Sequence, residues 1–528
     1  MRTRNSLRVI LAFSPFAIAS PLLHAVDRFP DPIPMSGISA EVEVVATIPD
    51  SSSGRPPRIS VLTQDPSGRL FANDQRGPMF TFEEGTGVVT EFLDLRDYSE
   101  LDIISTSEAG FQSFAFHPDY HDPTKPGYGR FYTIHSSGNT SSSPDFNPGG
   151  NTSFHTLLLE WRTSSAESNI FIPADAGNPY RELIRLKQPF GNHNTGLIAF
   201  NPTVTSDDAD YGNLYIAVGD GGSGGDPQEN GEDPSNPYGA ILRIDPLGSD
   251  SANGEYGIVA DNSLASDNNS GTLAEIYCYG LRNPQRFGWD LVTGNLFIAD
   301  IGQNSVEEIN LAANGAHFGW DIREGSFNFE GGSSVGLTDP VAEYDHDNTV
   351  SDPPTGIGNR AVTVGEVVRG TCITELEGKL LFADFPTGLI FILDVDTDPL
   401  DGGPEGLSEL TLHTGDNVPV RLLSLINEAR NDRGLTNSSR ADLRFSVNTP
   451  GRVYITTKHD GIIRRIKPTG TPMNDVEINQ AGQMELHFKG LLQSSSTLED
   501  WTTVVPQPVS PMILTPGQSP LFLRSTCP

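Results

Sequence analysis

Gly294-Asn-Leu-Phe-Ile298 decides how this chain is read, because the same pattern returns five more times. The other copies are Gly68-Arg-Leu-Phe-Ala72, Gly129-Arg-Phe-Tyr-Thr133, Gly212-Asn-Leu-Tyr-Ile216, Gly378-Lys-Leu-Leu-Phe382 and Gly451-Arg-Val-Tyr-Ile455. In chain order the six copies start 61, 83, 82, 84 and 73 residues apart. A turn glycine followed by an aromatic or aliphatic run reads as the start of a strand. Several copies carry a second strand close behind, as in Gly388-Leu-Ile-Phe-Ile-Leu393 and Gly461-Ile-Ile-Arg-Arg-Ile466. A long, steady period of this kind marks repeated sheets arranged around an axis. One repeat alone leaves an apolar face in water, and stacking six buries those faces. The reading is an all-β, six-bladed β-propeller over residues 40–470. A β-sandwich array is the alternative, but its turns come every 8–12 residues without a long period.

The insertions between repeats, such as 135–155 and 221–237, are rich in Gly, Ser, Asn, Asp and Pro and read as loops. Ser424–Asp432 is one short helical candidate. After Lys467-Pro-Thr-Gly-Thr-Pro472 the repeat stops. Short alternating segments around Val476, Met484, Thr502 and Leu521 then suggest a small C-terminal β domain over 474–528, an adhesive or surface-attachment module. An extension packed on the propeller is the other reading.

Composition narrows the partners. The 528 residues hold 34 Lys+Arg against 68 Asp+Glu, a formal charge of -34. Such a surface repels phosphate backbones, so nucleic acid is excluded as a partner. It also sets a puzzle, since any anion must bind against the field of the whole chain. Arg2, Arg4 and Arg8 precede an apolar run from Val9 to Leu23, which reads as a secretory signal peptide over 1–25. A periplasmic or extracellular location follows, with no transmembrane anchor. Three cysteines are too few for a disulfide scaffold; an oxidising compartment permits one bond, with Cys278 and Cys372 the favoured pair.

Three segments carry chemistry. In Asn192-His193-Asn-Thr-Gly196 a histidine sits in a polar turn at a strand start, and Asp220 ends a later strand in Val218-Gly-Asp-Gly-Gly222. An aspartate on one imidazole nitrogen fixes the tautomer and leaves the other as a general base. A structural turn histidine is the alternative. In Gly280-Leu-Arg282-Asn283-Pro-Gln285, adjacent Arg and Asn ahead of a proline form a rigid donor cluster for carboxylate or carbonyl oxygens. A loop arginine paired with a local acid is equally compatible. In Asp300-Ile-Gly302-Gln303-Asn-Ser-Val-Glu-Glu308, a turn exposes carbonyls beside carboxylates, hard ligands suited to Ca²⁺. A solvated acidic loop fits as well.

Two matches are discounted. Gly221-Gly-Ser223-Gly-Gly225 has the nucleophile-elbow spacing, but the following Asp226-Pro-Gln offers no helix. Asp394-Val-Asp396-Thr-Asp398 echoes a calcium loop, but Pro399 stands where the sharp-turn glycine belongs. No nucleotide-binding or zinc-spaced motif is present.

Taken in order, these segments resemble the soluble quinoprotein sugar dehydrogenases of the glucose/sorbosone dehydrogenase type. Phe114-Ala-Phe-His-Pro-Asp-Tyr120, Phe318-Gly-Trp320 and Val368-Arg-Gly370 extend the match. It looks nearest to the branch shared with animal Hedgehog-interacting-like proteins. The resemblance implies a six-bladed propeller that uses pyrroloquinoline quinone and Ca²⁺ to oxidise an aldose at its anomeric carbon to a lactone. It further implies His193 as the base, Asp220 as its orienter, and Arg282 and Asn283 as contacts to the quinone oxygens. Glu108, Arg369, Arg440 and Arg444 would also face the cofactor. The carbonyls of Gly302 and Gln303 would hold the active-site Ca²⁺, and Glu308 with the Phe318 carbonyl a structural one. An aldose substrate and an unidentified electron acceptor are the implied partners. Leu197 and Ile301 replace an arginine and a glutamine common in the family, and Arg440 and Arg444 have a different spacing from its arginine pair. These departures keep a second reading open, a carbohydrate- or protein-binding propeller that has lost cofactor use.

Overall fold

The computed structural model describes residues 29, 33–52, 54–267, 269–346, 360–371, 373–415 and 417–469, together with six strand backbones between 475 and 526. The proposed signal peptide lies outside the described residues.

β1 (Met35–Thr47) is set aside by its pairing, described below. β2 (Ile59–Gln64), β3 (Leu70–Asp74), β4 (Pro78–Phe82) and β5 (Val89–Asp94) make a first antiparallel sheet. β6 (Phe111–Phe116), β7 (Arg130–Ser137), β8 (Phe154–Arg162) and β9 (Tyr180–Gln188) make a second. β10 (Thr195–Phe200), β11 (Leu214–Val218), β12 (Ala240–Asp245), β13 (Gly257–Ile258) and β14 (Ile276–Tyr279) make a third. β15 (Arg286–Trp289), β16 (Leu296–Asp300), β17 (Val306–Leu311) and β20 (Ala342–Asp345) make a fourth, with a small hairpin of β18 (Arg323–Glu324) and β19 (Phe327–Asn328) inserted. The first four repeated glycine motifs open β3, β7, β11 and β16, the second strand of each sheet.

The rest of the main body differs from six separate blades. β21 (Val362–Val367), β22 (Lys379–Asp384), β23 (Leu389–Asp394), β24 (Ser408–His413), β25 (Pro419–Val420), β26 (Leu443–Phe445), β27 (Val453–Thr457) and β28 (Ile462–Pro468) join β1 in one nine-stranded sheet. Its order is β21-β22-β23-β24-β1-β28-β27-β26, with β25 on β24. β1 pairs antiparallel with β28, Val44 opposite Arg464, and parallel with β24, Ala40 opposite Leu412. The arrangement is all-β and propeller-like. Four sheets stand alone, and the N-terminal strand fuses the last two groups into one. The first strands touch in turn, β2 to β6, β10, β15, β21, β26 and back to β2, so the ring closes.

Apolar residues on alternating strand faces meet between neighbouring sheets. One such layer stacks Phe71, Phe92, Phe116, Phe131, Trp161 and Phe171, with the Phe131 and Trp161 rings 6.2 Å apart and near parallel. The expected helix is α1 (Leu422–Asp432), which buries Leu422 and Ile426 against the nine-stranded sheet. Beyond it, β29 (Asp475–Ile478), β30 (Met484–His487) and β33 (Met512–Leu514) form one three-stranded sheet. β31 (Leu491–Ser495), β32 (Thr502–Thr503) and β34 (Phe522–Thr526) form another. Cys278 is a free, buried thiol; Cys372, the partner favoured from the sequence, lies outside the described residues. Cys278 sits in the apolar core, where burial pushes its thiol up and keeps it inert.

Candidate functional site

His193 occupies the turn just before β10, with a left-handed backbone (φ 49°) that non-glycine residues adopt at a cost of order 1–3 kcal/mol. The turn is held by Glu108, whose carboxylate accepts the His193 N–H at 2.8 Å. Asp220 leaves the end of β11, the strand paired with β10, so the two residues meet across one sheet. Asp220 Oδ1 bonds His193 Nδ1 at 2.7 Å and also accepts the Gly222 N–H at 2.8 Å. The other oxygen accepts from Trp320 Nε1 at 3.0 Å. With Nδ1 engaged, the tautomer is fixed and Nε2 is the nitrogen left for chemistry. Backbone approach is close here: a Cβ on Gly219 would lie 2.5 Å from the His193 carbonyl oxygen. Trp320 was quoted in the sequence only as part of a motif; its role as the second support of Asp220 has no local sequence signal.

Arg282 and Asn283 stand on the loop between β14 and β15. Their N–H groups both donate to buried Asp300, at 2.8 and 2.6 Å. The Arg282 guanidinium turns to the 301–303 turn and donates to the carbonyls of Ile301 (2.9 Å) and Gly302 (2.8 Å), with the Trp320 ring centre 5.4 Å away. The turn is tight, since a Cβ on Gly302 would stand 1.7 Å from the Val306 carbonyl oxygen. Its backbone is gripped from the far side by Glu324, whose Oε1 accepts the N–H groups of Gln303 (2.7 Å), Asn304 (2.7 Å) and Ser305 (2.9 Å). Glu324 escaped the sequence reading because a long-range carboxylate in an amide nest leaves no spacing pattern.

These groups open into one cavity of about 730 Å³, lined by His193, Glu108, Arg282, Asn283, Arg440 and Arg444 among others. That is within the range of small-molecule sites, roughly 300–1,000 Å³. Its charge answers the puzzle posed by the acidic chain. Nine cations line it, Arg55, Arg58, Arg76, Arg282, Arg360, Arg430, Arg440, Arg444 and Lys458, against the carboxylates Glu108 and Asp442. Arg76, Arg360 and Arg440 are paired with Asp74, Asp384 and Asp442. Arg444 lies 3.8 Å over the Phe385 ring, and burial pushes its guanidinium down to about 10. Burial and Arg444 push the Lys458 ammonium down to about 7, against the opposing pull of Asp442. Three buried polar atoms here, Arg282 Nε, Asn283 Oδ1 and Arg444 Nε, have no partner among the described residues. A large cavity with unpaired cations and orphaned polar atoms fits a rigid polyanion such as the quinone tricarboxylate.

The remaining site residues divide. Arg369 is a correction. Its guanidinium is filled by Asp290 and Asp396, all four bonds within 2.8 Å, because those two acids lie on adjoining loops, and it does not line the cavity. The Gly302 carbonyl, expected to face calcium, instead accepts from the Arg282 guanidinium. Glu308 faces protein. Its oxygens accept from Gly325 N and Asn310 Nδ2, both at 3.2 Å, and it stands in register between Asp300 and Glu343 on neighbouring strands. Burial, Asp300 and Glu343 together hold its carboxyl well above the usual range. Phe318 lies on the loop after β17 with its N–H on the Tyr279 carbonyl (3.0 Å) and its ring in the core. Among the described residues no three His, Cys, Asp or Glu side chains gather as a metal cluster.

Comparison with known proteins follows the same lines. The HIPL1 protein of Arabidopsis thaliana is 27% identical over 370 residues, covering 61% of this chain and 50% of that protein. The aldose sugar dehydrogenase YliI of Escherichia coli is 26% identical over 152 residues, 29% of this chain and 34% of that protein. The chain thus spans half the length or less of these curated relatives. Among solved structures, the soluble aldose sugar dehydrogenase of Escherichia coli in its apo form superposes with a TM-score of 0.53 at 18% identity, covering 81% of this chain and 100% of that one. A glucose dehydrogenase gives 0.54 at 16% identity, covering 81% and 99%. Both show the fold. The glucose/sorbosone dehydrogenase profile matches residues 57–410, about two thirds of the chain and the whole of the His193–Asp220–Arg282 region, so the chain belongs to the glucose/sorbosone dehydrogenase family.

Proposed function

We propose that this chain is an exported quinoprotein oxidoreductase that converts an aldose to its lactone, on a propeller counted as six blades. The count takes the nine-stranded sheet as two blades, β21–β24 and β26–β28 completed by β1, bridged by the β1–β24 pairing. The propeller spans 40–470, and 474–528 is a separate small β domain. Export rests on the N-terminal segment; among the described residues no helix is long and apolar enough to cross a membrane.

The observation that carries the reading is the Trp320–Asp220–His193 chain opening into a cavity of unpaired cations. Pyrroloquinoline quinone, when bound, supplies the acceptor for the C1 hydrogen and its electron pair. His193 Nε2 takes the proton of the sugar hydroxyl. Asp220 holds the imidazole in the tautomer that does so and stabilises it once protonated. Trp320 and Gly222 keep the Asp220 carboxylate fixed. Arg282, Arg444 and Lys458 would hold the quinone's carboxylates, and Arg282 with Asn283 would stabilise the charge that develops on its carbonyl oxygens. No step runs through a calcium ion, since one at Gly302 must first displace the guanidinium.

The test is dye reduction by the full chain with quinone and a panel of aldoses, with and without a chelator. Turnover is expected, falling by about 10²–10⁴ in His193→Ala, the range for loss of a general base. A folded protein that neither binds quinone nor oxidises any aldose overturns the reading and leaves the carbohydrate- or protein-binding propeller that has lost cofactor use.

A further inference from the structure

The cavity holds more positive charge than a tricarboxylate needs. Six of its nine cations have no ion pair among the described residues: Arg55, Arg58, Arg282, Arg430, Arg444 and Lys458. Arg282, Arg430 and Arg444 are tied to carbonyl, amide or ring partners, and Lys458 lies 5.7 Å from the Phe385 ring. Glu108 is the one lining carboxylate without an ion pair, and it is spent on the His193 turn. After a tricarboxylate takes three charges and Glu108 one, two positive charges remain. Among the described residues, Arg55 and Arg58 are the lining cations with no side-chain hydrogen bond, ion pair or ring contact. Arg55 is exposed and Arg58 half-buried, on the loop that leads from β1 into β2.

In a chain with two acids for every base, two arginines three residues apart that line the cavity without an acidic partner make a local positive patch that attracts anions. We propose that this rim recognises an anionic saccharide, one carrying a carboxylate or sulfate ester next to the sugar presented to His193. The carbohydrate part of the inference rests on the sugar dehydrogenase reading; the anionic part does not. A guanidinium matches a carboxylate or sulfate edge with two parallel hydrogen bonds, which a neutral hydroxyl cannot return.

The test is calorimetric titration of the full chain at low salt, first without and then with saturating quinone. The probes are trigalacturonate, a sulfated trisaccharide and neutral maltotriose. At least one anionic probe should bind about ten-fold more tightly than maltotriose in both states. Arg55→Gln/Arg58→Gln should abolish that preference while quinone affinity and melting temperature stay as in the parent. Equal binding of neutral and anionic probes overturns the proposal. So does a double variant that keeps the preference, or one that loses only quinone affinity. Which anionic probe binds separates carboxylate from sulfate. Because titration needs no turnover, a protein that binds oligouronate yet reduces no dye sinks the enzyme reading and leaves this one intact.

Discussion

Asp226 shows how much one side chain costs this fold. It is 1% exposed, its Oδ2 accepts the Gly231 N–H at 2.6 Å, and its Oδ1 has no partner. Burial, then the nearby Asp220 charge, pushes its carboxyl up to about 7. In the unfolded chain the same group titrates near 4. The folded state therefore holds a proton that the unfolded state releases between pH 4 and 7. Its contribution is intact below about pH 4 and is lost as pH rises through about 7. Asp226→Asn removes the charge and keeps the acceptor for Gly231. It should be more stable than the parent at pH 8, on the order of 2 kcal/mol, with the difference gone at pH 4. Urea unfolding at the two pH values checks this; a variant less stable at pH 8 refutes the assignment. The His193–Asp220 pair was legible at this scale, because a turn histidine and a strand-end aspartate are local signals. The direction of Arg369 was not. Nothing near Val368-Arg-Gly370 announces that Asp290 and Asp396 will claim its guanidinium.

At the scale of elements, the 301–306 turn is built from two sides. Gly302 lets the chain pass within contact of Val306, and the β18–β19 hairpin delivers Glu324 to the turn's amide groups. The turn then presents the Ile301 and Gly302 carbonyls to Arg282. Glu324→Ala leaves the buried N–H groups of Ser305 and Val306 without their acceptor, each worth about 1–3 kcal/mol, so a loss of roughly 2 kcal/mol or more is expected. Glu324→Gln keeps one acceptor oxygen and should recover part of it. Chemical denaturation reads the stability. Quinone affinity should follow the same order, because the turn holds Arg282; unchanged affinity in Glu324→Ala would detach the hairpin from the site. The strand pattern was readable because a glycine turn and an apolar run are local. The β1 pairing was not, since it joins residues some 400 positions apart.

For the whole molecule, charge is segregated. A formal -34 is spread over the chain, while nine cations converge on one cavity. Within that field Lys458 is held near pH 7 by burial, by Arg444 and by Arg286, against Asp442 and Glu108. Its charge is present below about pH 7 and lost above it, so affinity for the quinone tricarboxylate should fall as pH rises from 6 to 9. Lys458→Met should bind more weakly at pH 6 and show little slope. A variant with the parental slope would show that another group titrates. The overall charge argues against a nucleic-acid partner but says nothing of this local reversal.

By itself, the sequence determined the all-β class, the repeated strand, the histidine–aspartate pair and the arginine–asparagine loop. Each rests on neighbours within a few residues, where backbone geometry and side-chain type act directly. The tertiary structure decided which arginines face the cavity, what holds Asp220 and the Gly302 turn, and how β1 closes the ring. Those depend on groups brought together from distant strands. Burial then sets both their charge and their partners, and neither is written in any local stretch of the chain.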